Sequence, residues 1–235
     1  MTEAELLAQH VDLLFDTDGA GRLVRVNEDE GDPAPRLFLV RGRVAHLIAV
    51  RAGMPVAMEA ACREIAAGLP AWDGRPSDPR LFEGLRDTLA GDTAVEDETI
   101  GPAFRFPEAT VAPSSNAHGA VLIADGNAHL LERHFPYTRV HLDHLSPVVG
   151  VVVDGAVVAA CYAARSRPSA AEAGVFTEAP HRGRGFAVAV VQGWCTAVEH
   201  EGRMPLYSTS WDNTASLAVA RRLGLMPYAE TISLV

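Results

Sequence analysis

The second half of the sequence alternates short apolar runs with stretches of helical spacing, and this order constrains the fold more than any other feature. The apolar runs have the length of strands and lie at residues 120–124, 148–154, 157–164, 172–177, 206–210 and 228–234. Helical spacing occurs at residues 127–134, 185–200 and 214–223. Asp154-Gly155, between two Val-rich runs, predicts a tight hairpin. The order predicts an α/β (α+β) fold with helices flanking a sheet that is antiparallel where the hairpin lies.

The first part of the chain has a different pattern. Thr2 and Glu5 predict a capping box before an amphipathic helix. An acidic turn between residues 23–26 and 37–41 predicts a hairpin, with 43–50 as a third strand. Helices are predicted at 55–67 and 78–90. The small, polar stretch 111–116 predicts a boundary between an N-terminal α/β domain, residues 1–116, and a second domain, residues 117–235.

Charge and hydropathy exclude several classes of function. All 20 basic residues are arginine; residues 1–116 hold 20 acidic and 11 basic residues, and the rest hold 10 and 9. Phosphate backbones require clustered basic residues, so we expect no nucleic-acid partner. No apolar run approaches the length of a membrane helix, and the first residues lack the pattern of a signal peptide. With three cysteines and no C-x-x-C pair, we expect a reducing, cytoplasmic location and no membrane partner.

The segment at residues 175–187 carries the clearest chemical signal. A strand ending at Val175, Phe176 and Thr177 leads through a short loop with two arginines and two glycines into an apolar helix. The free N–H groups and positive end of a helix bind anions, and glycine lets the backbone approach a ligand closely. The sequence therefore predicts a pyrophosphate site, although a capped structural helix is the alternative.

Two common phosphate loops do not fit this segment. A dinucleotide loop, G-x-G-x-x-G, needs a third glycine where the chain has Val188, and a Walker loop needs a lysine, which the chain lacks. The R-x-x-G-x-A pattern of residues 182–187 is instead similar to the coenzyme loop of the GNAT superfamily of acyl-coenzyme A-dependent N-acetyltransferases. The second block of that superfamily resembles a later part of this sequence, which has a strand, the N-x-x-S pattern at Asn213 and Ser216, a helix and then Leu223-Gly224-Leu225.

The resemblance implies a mixed, mostly antiparallel sheet that splays between two strands to leave a slot for the pantetheine arm of acetyl-CoA. Val175, Phe176 and Thr177 would pair with the arm through their backbone. The pyrophosphate would lie on the loop, which comprises Arg182, Gly183, Arg184, Gly185, Phe186 and Ala187. Asn213 and Ser216 would line the other side of the coenzyme, although Asn213 also suits a helix N-cap.

The resemblance also indicates catalytic candidates. Glu172 lies near the position of the superfamily's catalytic glutamate, with Ala171 as the alternative register. The usual tyrosine acid is replaced by Ala220. Tyr207 is the candidate that we name for the acid, with Ser208 and Tyr228 as further substitutes, and direct attack with little side-chain help stays open.

We therefore expect an N-acetyltransferase that uses acetyl-CoA and transfers to a small-molecule or peptide amine by direct attack in a ternary complex. A non-catalytic acyl-CoA sensor is the alternative, because of Ala220. The histidine spacings favour no metal site. Residues 1–116 are of open role: they could supply part of the acceptor pocket or be a degenerate copy of the same fold. We also expect the protein to form a homodimer.

Overall fold

The structure is a computed structural model that describes residues 1–28, 31–107 and 119–235. The described chain divides into two compact units. The first unit comprises Met1–Phe104, Ser208–Thr214 and Pro227–Val235, and the second comprises Arg105–Tyr207 and Ala215–Met226. The predicted boundary at residues 111–116 lies outside the described residues, so the predicted domain limits stay a prediction.

The first unit contains most of the N-terminal elements and the last strand of the chain. Its helices are α1 (Glu3–Leu14), α2 (Val56–Ala67) and α3 (Glu83–Ala90), with a 3₁₀ helix at Pro79–Phe82. Its strands are β1 (Phe15–Thr17), β2 (Leu23–Val26), β3 (Leu37–Arg41), β4 (His46–Val50), β5 (Glu98–Arg105) and β11 (Met226–Leu234). The main sheet has the order β4-β3-β11-β5, and a core of residues such as Leu39, Phe82 and Ile232 packs against it.

Local signals in the first unit were predicted correctly at the start of the chain and wrongly at the hairpin. Thr2 Oγ1 accepts a hydrogen bond from Glu5 N at 3.2 Å and Thr2 N donates to the Glu5 carboxylate at 2.7 Å, which is the predicted capping box. The predicted hairpin between β2 and β3 is wrong, because β2 pairs with β1 and β3 pairs with β4 and β11. All five residues of β3 are buried, so it requires a partner on both edges.

The second unit is built around a five-stranded sheet of order β10-β9-β8-β7-β6. The strands are β6 (Ala120–Ile123), β7 (Val148–Val153), β8 (Ala156–Ser166), β9 (Ala170–Thr177) and β10 (Met204–Ser208). The helices are α4 (Pro136–Val140), α5 (Phe186–His200) and α6 (Thr214–Arg222), with 3₁₀ helices at Asp125–Leu131 and Ala179–His181. β9 and β10 are parallel and the other pairs are antiparallel, which confirms the predicted mixed, mostly antiparallel sheet with flanking helices.

Two local predictions in the second unit have different outcomes. The hairpin at Asp154-Gly155 is confirmed: both residues have positive φ, 49° and 76°, as a tight primed turn requires. The helix predicted at 127–134 is instead a 3₁₀ helix at Asp125–Leu131 followed by α4. The Asn127 side chain accepts from Ala124 N at 2.8 Å and donates to Leu122 O at 3.0 Å. These two bonds close a tight turn at the start of the segment, which favours the 3₁₀ helix over an α-helix.

Both faces of the second sheet are covered. Cys161 of β8 and the six buried residues of α5, including Trp194 and Cys195, lie on one face, which we call the α5 face. A cluster that includes Leu131, Phe135 and Ala160 covers part of the other face, which we call the α4 face. Among the described residues, none of the helices combines the length and the apolar character needed to cross a bilayer.

Candidate functional site

The sheet of the second unit opens between β9 and β10. β9 pairs with β10 only at Ala170–Glu172, opposite Met204–Leu206, whereas its ladder with β8 continues to Thr177. Beyond Glu172, five residues of β9, Ala173–Thr177, continue without a partner in β10. At a rise of about 3.3 Å per residue, this opening is roughly 16 Å long. The unpaired edge can therefore accept an extended ligand that carries amide groups, as an added strand does.

Side chains alternate between the two faces along β9. Glu172, Gly174 and Phe176 project to the α4 face, because Phe176 contacts Phe135 at a ring-centroid distance of 5.9 Å. Ala173, Val175 and Thr177 project to the α5 face, since Val175 lies opposite Cys161 in the ladder. The three residues predicted to pair with the coenzyme arm, Val175, Phe176 and Thr177, thus lie in the open part of β9.

The loop that follows β9 presents an uncapped helix terminus. Gly183 and Gly185 have φ values of 75° and 83°, which other residues rarely adopt, and no neighbouring atom lies within 4 Å of the position that a Cβ would take at Gly183. Gly185 is the N-cap of α5 and provides no side-chain hydrogen bond to the first turn. The first N–H groups of the helix therefore receive no acceptor from a capping side chain.

Two arginines stand beside this terminus. Arg182 donates from Nε to Thr177 O at 3.0 Å and lies over the Phe176 ring at 5.7 Å. Arg184 lies over the Phe186 ring at 4.7 Å, and its Nη1 is 3.1 Å from His181 Nδ1. Both arginine residues are exposed. Their charge, added to that of the helix terminus, favours an anion at the loop.

A buried hydroxyl next to the loop gives an independent test of whether a coenzyme fits. Thr177 Oγ1 is inaccessible to solvent and has no hydrogen-bond partner among the described residues. Buried polar atoms in proteins almost always have such a partner. The unsatisfied hydroxyl, the open position at Gly183 and the helix terminus without a capping side chain together fit a polar ligand such as a pyrophosphate.

Glu172 lies where β9 and β10 converge. It is 2% exposed, and its Oε2 is 2.7 Å from Arg165 Nη1. Arg165 is opposite Glu172 in the β8–β9 ladder, just after a register shift at Ala163/Arg165. This ion pair holds the Glu172 side chain at the last residue of the β9–β10 ladder.

Tyr207 lies on the opposite face of the sheet from Glu172. Leu206 is the residue opposite Glu172 in the β9–β10 ladder, so the next side chain, Tyr207, projects to the α5 face. Its hydroxyl shares a 2.5 Å hydrogen bond with Ser216 Oγ. Burial raises the pKa of Tyr207 above its ordinary value, and the bond with Ser216 opposes this shift only in part. The phenol therefore keeps its proton at neutral pH and can serve as a proton donor.

The remaining sequence candidates lie around α6. Asn213 is exposed and directly precedes Thr214, the first residue of α6. Ser216 is in the first turn of α6 and is held by Tyr207. Ala220 is 1% exposed. In the described part of the chain, no three His, Cys, Asp or Glu side chains form a group that could hold a metal ion.

Sequence reasoning missed Arg165 and the bond between Tyr207 and Ser216. Arg165 is seven residues before Glu172 and reaches it across a hairpin with a register shift, which no local motif encodes. Tyr207 and Ser216 both lie in the second motif block, but their contact depends on how α6 packs. The alternation of β10 was the available signal that Tyr207 and Leu206 project to different faces.

Comparison with known proteins supports the resemblance. The family model described as GNAT acetyltransferase matches residues 146–231. No curated protein gives a significant match. One similar solved structure is a putative GNAT-family acetyltransferase from Novosphingobium aromaticivorans, with 19% identity and a TM-score of 0.47; the match covers 60% of this chain and 65% of that chain, less than two thirds of its length.

Two further solved structures match over almost the full length of the chain. A GCN5-related N-acetyltransferase-like protein from Streptococcus suis is 16% identical, with complete coverage of both chains and a TM-score of 0.48. A tandem GNAT protein from the clavulanic acid biosynthesis pathway is 16% identical, covers 98% of this chain and 95% of that chain, and has a TM-score of 0.40. The family match over residues 146–231 confirms that the C-terminal part of this chain resembles the GNAT acetyltransferases, as its two motif blocks predicted.

Proposed function

We propose that the protein is an acyl-coenzyme A-dependent N-acetyltransferase that transfers the acetyl group of acetyl-CoA to an amine by direct attack in a ternary complex. The observation that carries this proposal is the opening between β9 and β10, which ends at Glu172 on one side and leads to the arginine- and glycine-containing loop on the other. The family match over residues 146–231 supports it.

The coenzyme loop and the open edge of β9 hold the donor in this proposal. The backbone N–H groups of residues 183–187, with Arg182 and Arg184, bind the pyrophosphate, because the helix terminus supplies donors that no capping side chain satisfies. The backbone of Val175–Thr177 pairs with the amides of the pantetheine arm. Asn213 and Ser216 contact the other side of the coenzyme. The donor supplies a thioester, and the amine attacks its carbonyl carbon.

Proton transfer then involves both faces of the sheet. The acceptor nitrogen attacks as a free amine, so its ammonium form first loses a proton to Glu172, directly or through a water molecule. The C–N bond forms and the C–S bond breaks. The attacking nitrogen gives its second proton to water and the thiolate takes a proton from Tyr207, whose raised pKa keeps it protonated beforehand. Glu172 then loses its proton to water, and the Tyr207 phenolate takes one back. Acetylated amine and the free thiol of the coenzyme leave. A base on the α4 face and an acid on the α5 face suit attack from one side and departure toward the other.

A second function is favoured by two observations. Ala220 occupies the position of the superfamily's usual tyrosine acid and is buried, and Glu172 is paired with Arg165. A protein with these features could bind acyl-CoA as a sensor without turning it over. Release of free thiol from acetyl-CoA over a panel of amines distinguishes the two: turnover with any amine supports the enzyme, and binding without turnover on the whole panel supports the sensor.

The site assignment is tested by Gly185→Asp. The variant places a side chain and a negative charge at a left-handed position in front of the helix terminus, so we expect the affinity for acetyl-CoA to fall at least about 100-fold. Gly202→Asp is the matched control, because Gly202 follows the other end of α5, has φ 75° and has open space at its Cβ position. Unchanged affinity in Gly185→Asp, measured by titration calorimetry, would overturn the assignment.

The acceptor and the partners belong to the same proposal. The acceptor is a small-molecule or peptide amine, and the acidic character of residues 1–116 favours a cationic one. We propose a cytoplasmic protein that forms a homodimer and has neither a nucleic acid nor a membrane as its partner. Sedimentation of the purified chain tests the dimer, and an amine panel that contains polyamines, monoamines and peptide N-termini tests the acceptor class.

A further inference from the structure

The open part of β9 contains one residue without a side chain, Gly174, and an aromatic ring fills the place where that side chain would be. Gly174 lies opposite Tyr162 of β8 in the antiparallel ladder. A Cβ at Gly174 would be 2.6 Å from Cε2 and 2.9 Å from Cζ of Tyr162. Glycine within a strand often marks a close approach of this kind. The Tyr162 ring therefore lies directly against the backbone of Gly174.

This ring stands between two side chains of the α4 face. Glu172 and Phe176 lie two residues before and two residues after Gly174, so Tyr162 is the diagonal neighbour of both in the sheet. Diagonal neighbours are about 7–8 Å apart, which is within reach of an aromatic side chain. Tyr162 packs against the cluster that includes Phe135, and Phe176 meets the Phe135 ring edge to face at 5.9 Å. We call the rings of Tyr162 and Phe176 the aromatic floor.

The aromatic floor begins beside the proposed base and ends beside the coenzyme loop. Phe176 is 45% exposed and Tyr162 is half-buried, so neither residue is fully enclosed. Arg182 of the loop lies over the Phe176 ring at 5.7 Å. Exposed aromatic surface next to an opening is typical of a place where a ligand binds. A molecule that reaches Glu172 from the α4 face would lie on this floor.

The charges along the same face favour an acceptor with one ammonium group. Glu172 lies 2.7 Å from Arg165, and Glu178, the residue that follows β9, lies 3.7 Å from His134. Each of these carboxylates already has a basic neighbour, so the second ammonium of a polyamine gains little from them. A flat apolar body gains the two rings instead, and paired aromatic rings attract each other beyond the area that they bury.

We propose that Tyr162 determines the specificity for the acceptor and that the acceptor is a primary amine with an aromatic body. The inference rests on the proposed function, because the role of Glu172 as the base places the acceptor nitrogen on the α4 face. The body of the amine lies on the aromatic floor, and Gly174 leaves room for the Tyr162 ring. Tyr162 contacts the acceptor and takes no part in proton transfer.

The test uses Tyr162→Ala in the full chain with two acceptors, 2-phenylethylamine and butylamine, which carry a primary amine on an aromatic and on an aliphatic body. We expect the KM for 2-phenylethylamine to rise about tenfold and the KM for butylamine to change less than about twofold. The affinity for acetyl-CoA, measured by titration calorimetry, should stay as in the wild type. Tyr162→Phe keeps the ring and should restore the KM to within about twofold of the wild type.

Tyr137→Ala is the matched control, because it removes another tyrosine ring from the second unit. Tyr137 is 52% exposed and stacks on His141 at 4.3 Å. This variant should leave the KM for both amines and the affinity for acetyl-CoA unchanged. A rise in the KM for 2-phenylethylamine equal to that of Tyr162→Ala would show that the loss is not specific to the floor, and would overturn the inference.

Gly174→Ala gives a second variant that keeps every aromatic side chain. The added Cβ forces the Tyr162 ring away from β9, so we expect the KM for 2-phenylethylamine to rise about fivefold. In the Tyr162→Ala background the ring is absent, and the same change should add less than about twofold, because the two effects act through one contact. Gly174→Ala alone decides the question if urea unfolding shows that Tyr162→Ala does not fold.

The outcomes separate this inference from the proposed function. If the wild type does not bind acetyl-CoA, or releases no thiol with any amine, both are overturned. If the wild type acetylates butylamine or spermidine with a higher kcat/KM than 2-phenylethylamine, or if neither Tyr162→Ala nor Gly174→Ala raises the KM for 2-phenylethylamine, the role of Tyr162 is overturned and the enzyme stands. If Tyr162→Ala weakens acetyl-CoA binding as much as it raises this KM, the ring serves the donor and the inference is also overturned.

Discussion

Each unit of the molecule encloses one glutamate that pairs with an arginine across an antiparallel ladder, and the two pairs differ in what surrounds them. Glu172 and Arg165 of the second unit are 2.7 Å apart, and the arginine side chain is 27% exposed. Glu230 and Arg41 of the first unit are 2.8 Å apart, and the arginine side chain is 2% exposed. The Glu172–Arg165 pair is therefore open toward solvent on its arginine side, whereas the Glu230–Arg41 pair is closed.

This difference separates a carboxylate beside an opening that can hold a ligand from one that is enclosed. Glu230 accepts hydrogen bonds from Arg41, Ser77 and Trp211. Glu172 lies at the last residue of the β9–β10 ladder, beside the part of β9 that β10 does not pair. Burial of a charge alone therefore does not indicate catalysis: access to a ligand separates a candidate base from a structural ion pair.

The largest effect should come from removing the arginine of the closed pair, Glu230–Arg41. Arg41→Met leaves Glu230 buried without its counter-charge, so we expect the free energy of unfolding to fall by about 3–5 kcal/mol. Urea unfolding measures this loss. Arg63→Met is the control, because Arg63 is 49% exposed and pairs with Glu59 on the surface of α2; it should cost no more than about 0.5 kcal/mol. Equal losses in the two variants would remove the distinction between closed and exposed pairs.

A smaller effect is expected at the Glu172–Arg165 pair, and it concerns the reaction rate instead of the stability. Glu172→Gln keeps the shape of the side chain and removes its basicity, so kcat should fall about 100-fold. Glu178→Gln removes the same charge from the second unit, where Glu178 lies 3.7 Å from His134, and should leave kcat unchanged. Steady-state rates with saturating acetyl-CoA measure both. An unaltered rate in Glu172→Gln would remove Glu172 as the base.

The sequence was sufficient for features that depend on neighbouring residues. The hairpin at Asp154-Gly155 and the capping box at Thr2 adopt the predicted conformations, because each is set by the φ preferences or side-chain reach of a few consecutive residues. The mixed sheet was expected from the resemblance to the GNAT superfamily, since apolar runs of strand length identify strands without identifying their partners.

Long-range pairing was not predictable in this way. Arg41 and Glu230 are 189 residues apart, and only the register of β3 against β11 places them together. The same limit explains the wrong hairpin between β2 and β3, whose true partners are β1, β4 and β11. It also explains why Glu172 and Tyr207, proposed for one reaction, were not assigned to opposite faces: the ladder register decides the face, and a shift of one residue reverses it.

The smallest effect is expected at Tyr207, which lies on the α5 face opposite to Glu172. Tyr207→Phe removes the proposed donor to the thiolate and the bond to Ser216, so we expect kcat to fall about tenfold. Tyr137→Phe, at a tyrosine that is 52% exposed, is the control.

The pH dependence of kcat gives a second test of Tyr207 as the acid. Because burial raises the pKa of Tyr207 above its ordinary value, the phenol stays protonated into the alkaline range, and the ratio of wild-type to variant kcat should be constant from about pH 6 to about pH 9. A ratio that declines within this range would mean that Tyr207 loses its proton below its ordinary pKa, which contradicts both its burial and its role as the acid.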